Sequence, residues 1–123
     1  MNISYQAGGR HDFPFWPTKH KPYIKGFRLV SKSPKDEVVY TVKEEMEFFS
    51  VVFAAEKYDG EDNWSVGVNG KTVIETVYSK SLPEAINFSA IIPLRAEDKV
   101  TFTFYNNSNK PKEVYFNFLF GRD

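Results

Sequence analysis

Four oxygen-bearing residues sit close together in "KYDGEDNWSVGVNGK": Asp59, Glu61, Asp62 and Asn63. Carboxylates and amides gathered by a turn just before a strand are what calcium requires, because this hard cation takes several oxygen ligands. These four are therefore the candidate metal residues. Their spacing departs from the EF-hand loop, which needs more acids and a terminal Glu. The competing reading is a solvated loop in which Gly60 makes the turn and the acids blunt a sheet edge. The only histidines, His11 and His20, lie in an irregular stretch. His11-Asp12 has no Gly-x-Ser-x-Gly elbow beside it, and the bland reading of both is surface or packing histidine. Paired carboxylates for glycoside hydrolysis depend on a three-dimensional separation, but so short a chain leaves little room for a cleft with two tuned acids. No catalytic residues are assigned, and no enzyme activity is expected.

The second group able to do chemistry is aromatic. Trp16, Tyr78, Tyr105 and Tyr115 face away from the expected core, with Asn106, Asn107 and Asn117 nearby. Flat rings beside amides suit the C–H faces and hydroxyls of sugars, so these seven are candidate glycan-binding residues. The same tyrosines also suit a subunit interface, since one end of the ring is apolar and the other wet. Short basic runs, "KHK" at 19–21 and "KPK" at 110–112, read as loop solvation.

The elements that must position these groups are strands. Period-two alternation dominates. In "KVTFTFYNN", Val100, Phe102 and Phe104 share one face. "EVYFNFLF" repeats the plan with Val114, Phe116, Phe118 and Phe120 inward, and Tyr115 and Asn117 outward. The turn formers of "NNSNKPK" between them predict an antiparallel hairpin. "WSVGV" puts Trp64, Val66 and Val68 together, Asn69-Gly70 supplies a tight turn, and "KTVIETVYS" returns. "AINFSAIIPL" is a further strand with Ile86, Phe88, Ala90 and Ile92 on one face, bracketed by Pro83 and Pro93. "KEEMEFFSVVFAAEKY" holds good helix formers, but Phe48 to Phe53 is aromatic, β-branched and apolar on both faces, which favours a central strand. "YIKGFRLVS" and "EVVYTV" complete the set, with Gly26 marking a bulge or a close contact.

About eight strands without a convincing helix predict an all-β fold, an antiparallel β-sandwich of jelly-roll type. It comprises one domain over residues 23–123, preceded by an irregular N-terminal arm over residues 1–22. Phe13, Phe15 and Trp16 are the arm's candidate subunit contacts. Composition agrees: 123 residues are enough for one core, and 17% of them are aromatic. Sixteen basic residues balance sixteen acidic ones, so neither nucleic acid nor an anionic membrane surface is an expected partner. No apolar run approaches the ~20 residues of a spanning helix. Cysteine is absent, which excludes disulfides and thiol chemistry. The N-terminus lacks a signal-peptide plan, so the expectation is assembly in the cytoplasm.

"DNWSVGVNGKTVIETVYSKSLPEAINFSAIIPLRAEDKVTFTFYNNS", followed by "KEVYFNFLF", resembles small β-sandwich modules of Gram-positive bacteriophage virion and tail proteins. These modules in turn look like carbohydrate-binding modules. The resemblance runs from about Tyr58 to Phe120. It implies a non-catalytic, virion-associated structural or binding protein, homo-oligomeric, contacting capsid, tail or host-surface glycans. The alternative is a carbohydrate-binding module of a bacterial polysaccharide-acting system. No cofactor is expected unless calcium occupies the acidic loop.

Overall fold

A computed structural model describes residues 17–79 and 83–123, apart from the side chain of Ser89. The described chain forms strands β1 (Lys21–Ser31), β2 (Lys35–Thr41), β3 (Met46–Ala55), β4 (Asn63–Val68), β5 (Lys71–Tyr78), β6 (Glu84–Leu94), β7 (Lys99–Tyr105) and β8 (Lys112–Arg122). They build two four-stranded sheets, ordered β1-β8-β3-β6 and β2-β7-β4-β5. All pairings are antiparallel. Every connection except β4–β5 crosses from one sheet to the other. That is the wrapping of a jelly roll.

The alternation of apolar residues sets which faces meet. Phe102 of β7 points across the gap at Phe116 of β8, which packs beside Phe118, and Phe104 of β7 faces Phe53 of β3. Phe102 and Phe116 stack with ring centroids 3.8 Å apart and planes 9° from parallel. Trp64 lies against Phe53 at 5.3 Å. All six of these side chains are buried, and truncating a buried Phe of this kind costs ~3–5 kcal/mol. The stretch that balanced helix against strand is the inner strand β3. Phe48, Val51 and Phe53 enter the core, while Phe49 and Val52 are half-buried on the outer side. A bulge sets Phe49 and Ser50 opposite the single Leu119.

The Asn69-Gly70 turn forms as expected, with φ of 50° and 82°, the left-handed values that a two-residue hairpin turn demands. Three expectations need correction. The runs flanking "NNSNKPK" are not a hairpin, because β7 pairs with β2 and β4, whereas β8 pairs with β1 and β3. Pro93 does not bracket β6 but lies within it, opposite Glu47. An edge strand tolerates that proline because its outer N–H side needs no partner. Strand β1 starts at Lys21, so the boundary drawn at Tyr23 falls inside a strand. Gly26 is a close contact and not a bulge: the β1–β8 register is unbroken, and a Cβ there would lie 2.8 Å from Asn117 Oδ1.

Ahead of β1, the chain is held by Glu47. This buried carboxylate accepts from Thr18 N at 2.9 Å, Thr18 Oγ1 at 2.6 Å and Lys19 N at 3.0 Å. Phe13, Phe15, Trp16 and His11 lie outside the described residues, as does the arm reading for residues 1–16; His20 is exposed.

Candidate functional site

The acidic loop does not present its carboxylates to solvent as a set. Asp59 and Asp62 both turn onto the ammonium of Lys112, the first residue of β8. Nζ is 2.5 Å from Asp59 Oδ2 and in contact with Asp62 Oδ2. The Lys112 side chain is 0% exposed and that of Asp62 1%, whereas Asp59 keeps 26%. The other oxygen of Asp62 accepts the backbone N–H groups of Asn107, at 2.8 Å, and Ser108, at 3.1 Å. The loop is pinned further by Asp62 N donating to Asp59 O, Ser79 N to Asp62 O, and Asn107 Nδ2 to Glu61 O. One end of the sandwich is thus tied together: the β3–β4 loop, the end of β5, the β7–β8 loop and β8.

The electrostatics follow from the geometry. Burial lowers the Lys112 pKa, but its bonds to Asp59 and Asp62 more than offset that, leaving it above the ordinary lysine value. The hydrogen bond from Lys112 holds the Asp59 carboxyl below its ordinary value. Two of the four candidate calcium residues, Asp59 and Asp62, thus share the Lys112 ammonium between them. Glu61 is exposed and contributes only its backbone carbonyl to this network, while Asn63 is buried in β4. Among the described residues no group of three or more His, Cys, Asp or Glu converges for a metal.

Reading "KPK" as loop solvation holds for Lys110, which is 63% exposed, and fails for Lys112. The signal was in the alternation. Counting back from Phe120 through Phe118, Phe116 and Val114 lands on Lys112. Counting back from Val66 through Trp64 lands on Asp62. Both charges continue a core-facing series.

The aromatic candidates separate. Tyr105 and Tyr78 stand on the outer face of the β2-β7-β4-β5 sheet, in one cross-strand row with Asn63 between them. Two strand spacings put them ~10 Å apart. Tyr115 and Asn117 stand on the outer face of the other sheet, where Tyr115 donates to Glu113 at 2.6 Å. Asn106 is buried, and its amide is engaged by Ser31 Oγ and Lys110 O. Asn107 is exposed beside Tyr105. Trp16 lies outside the described residues.

Around Tyr105 the sheet carries a groove that sequence reading did not assemble. A depression of about 290 Å³ is bordered by Glu37, Ser65, Gly67, Thr72, Thr101, Thr103 and Tyr105. A second, of about 370 Å³, continues past Ser65, Thr72 and Tyr105 to Glu75, Thr76 and Asn107. The floor is low because Gly67 has no side chain and the neighbouring outward positions are Ser and Thr. Thr76 is held at φ 54°, costly for a β-branched residue. Strain of this kind concentrates at functional sites.

An eight-stranded jelly roll with an open polar groove on one sheet is the class of protein these features define. The chain belongs to the family described as domain of unknown function DUF8551, whose model matches residues 21–122, the whole sandwich from β1 to β8. No curated protein matches it. Among solved structures it is similar to Drosophila NLP-core, described for pentamer formation and histone binding. The TM-score is 0.48 and the identity 16%, covering 84% of this chain and 99% of that one. It is also similar to dimeric latent PorU from Porphyromonas gingivalis, with a TM-score of 0.38 and 10% identity over 86% of this chain and 14% of that one. At these identities neither likeness carries a function across.

Proposed function

We propose that this chain is a non-catalytic binding module that holds a carbohydrate chain along the outer face of the β2-β7-β4-β5 sheet. The observation that carries the reading is the continuous groove floored by Ser65, Gly67 and Thr72 and flanked by Tyr105, Glu37 and Asn107. Hydroxyls, carboxylates and an amide offer both donors and acceptors to a polyhydroxyl ligand, and Tyr105 offers a ring face. The test is titration with cello-oligosaccharides, chito-oligosaccharides and galactomannan, followed by heat of binding. Tyr105→Ala should weaken binding about tenfold, equivalent to 1.4 kcal/mol, with the melting temperature little changed. A panel without binding, or binding indifferent to Tyr105, overturns the reading.

A virion-associated structural role is the second reading. It is favoured by the opposite outer face, where Ile24 is 59%, Val30 46% and Tyr115 40% exposed. Exposed apolar side chains suit contact with another subunit, and the other sheet exposes Val39, Val73 and Tyr78 in the same way. Light scattering decides it: a stable oligomer that Ile24→Glu dissociates supports this role, and a monomer removes it.

A further inference from the structure

The Lys112–Asp62–Asp59 cluster holds more chemistry than an ion pair requires. An amine and a carboxyl group, both shut off from water, are in contact. A second carboxylate touches the same amine. Two backbone N–H groups aim at the one Asp62 oxygen that does not face the lysine. These are the parts of an acyl-transfer site: nucleophile, acyl group, proton carrier and oxyanion donors. We propose that Lys112 and Asp62 condense into an intramolecular isopeptide bond, with Asp59 as the proton carrier.

The step balances without any outside reactant. Asp59 takes one proton from the ammonium and passes it to Asp62 Oδ2, making the carboxyl neutral. The Nζ lone pair then forms a bond to Cγ of Asp62, and negative charge grows on Oδ1, where the Asn107 and Ser108 amides receive it. A second proton leaves Nζ, travels through Asp59 to the departing hydroxyl, and the Cγ–Oδ2 bond breaks. Ammonium plus carboxylate has become a secondary amide plus one water. Asp59 ends as it began, with the Lys110 ammonium 3.7 Å from its Oδ1 as a counter-charge.

Two features favour the product. Holding an ammonium and a carboxylate out of water carries a desolvation cost that the contacts with Asp59 and Asp62 more than offset at Lys112, and condensation removes both charges of the Lys112–Asp62 pair. Proximity is already in place, because the Asp59–Asp62 turn and the start of β8 are fixed by backbone hydrogen bonds. Since Asp62 immediately precedes β4 and Lys112 opens β8, the amide would join the two sheets covalently.

Intact-mass spectrometry of the denatured full-length protein tests this directly. The expected mass is one water below that of the sequence, with a proteolytic fragment in which the Lys112 peptide is joined to the Asp62 peptide. Asp59-Gly60 can also lose water, by closing to a succinimide, so the joined fragment and not the mass alone is decisive. Asp59→Ala should show the full mass of its own sequence and no joined fragment, as should Asp62→Ala. Folded wild-type protein that keeps its full mass on prolonged incubation overturns the proposal. A wild-type water loss that yields no joined Lys112–Asp62 fragment overturns it equally.

Discussion

Replacing Lys112 with methionine keeps most of the side-chain volume and removes only the charge. Asp62, with its side chain 1% exposed, then keeps two backbone N–H donors and the Ser108 hydroxyl but no cation. Breaking a buried pair by removing one partner costs ~3–5 kcal/mol, because the remaining charge is uncompensated. A domain of this size has ~5–15 kcal/mol in total, so the variant should be folded but markedly weakened. Taking ~2 kcal/mol per M as the urea dependence, the unfolding midpoint should fall by ~2 M. The double variant Lys112→Met with Asp62→Asn tests the cause. With the orphaned charge gone, it should recover at least ~1 kcal/mol of the single variant's loss, and the excess over additivity is the coupling between the two residues. A single variant within ~1 kcal/mol of wild type would refute the reasoning, because the ammonium would then not be what holds this end of the sandwich. Where the pair has condensed, the same substitution removes a covalent tie and the midpoint moves the same way.

Two further outcomes can be checked with the same urea titrations. Gly121→Ala should cost ~1–3 kcal/mol, because the new Cβ would lie 2.6 Å from the Phe49 ring and 2.8 Å from the Lys19 carbonyl oxygen, a backbone atom that cannot step aside. Gly60→Ala, with nothing within 4 Å, is the matched control and should be near neutral. The acid limb of stability should depend on Asp98 and Glu113. The Arg95 backbone N–H holds Asp98 below its ordinary value, and the Arg28 guanidinium does the same for Glu113. Groups with depressed folded-state values stabilise fully above the ordinary carboxylate range and lose that contribution as pH falls through the folded values. The midpoint should therefore be flat from about pH 7 to about pH 5 and decline below about pH 4. Asp98→Asn should flatten that decline, and an unchanged decline would show that Asp98 has no part in it.

Period two states which face of a strand is buried, and for β7 and β8 it did so residue by residue. It is silent about partners, since any strand with a buried face satisfies the same pattern. The short polar passage between β7 and β8 therefore looked like a hairpin turn, although the chain there crosses from one sheet to the other. Asn69-Gly70 succeeded where "NNSNKPK" failed for a local reason. Two positive φ values in a two-residue link leave the chain no choice but to fold back on its neighbour, whereas the six-residue link between β7 and β8 can end in either sheet. The groove was illegible for a related reason. It is assembled from β2, β7, β4 and β5, and only the pairing order brings Glu37 near Ser65 and Thr72.

The acidic loop is different, because its meaning was written in the alternation and was obscured by residue type. Lys112 and Asp62 hold core-facing parity at the first step beyond each strand's apolar run, where charged residues are ordinarily assigned to solvent. A single charge at such a position is best read as the strand's end. Two charges of opposite sign, each at the inward parity of its own strand, can satisfy one another across the gap between sheets, and one solvent-facing acid nearby can share the cation. Inward parity carried one residue past the hydrophobic run is therefore a usable sign of a buried ion pair. Here it singles out Lys112 over Lys110, and Asp62 over Glu61, without reference to coordinates.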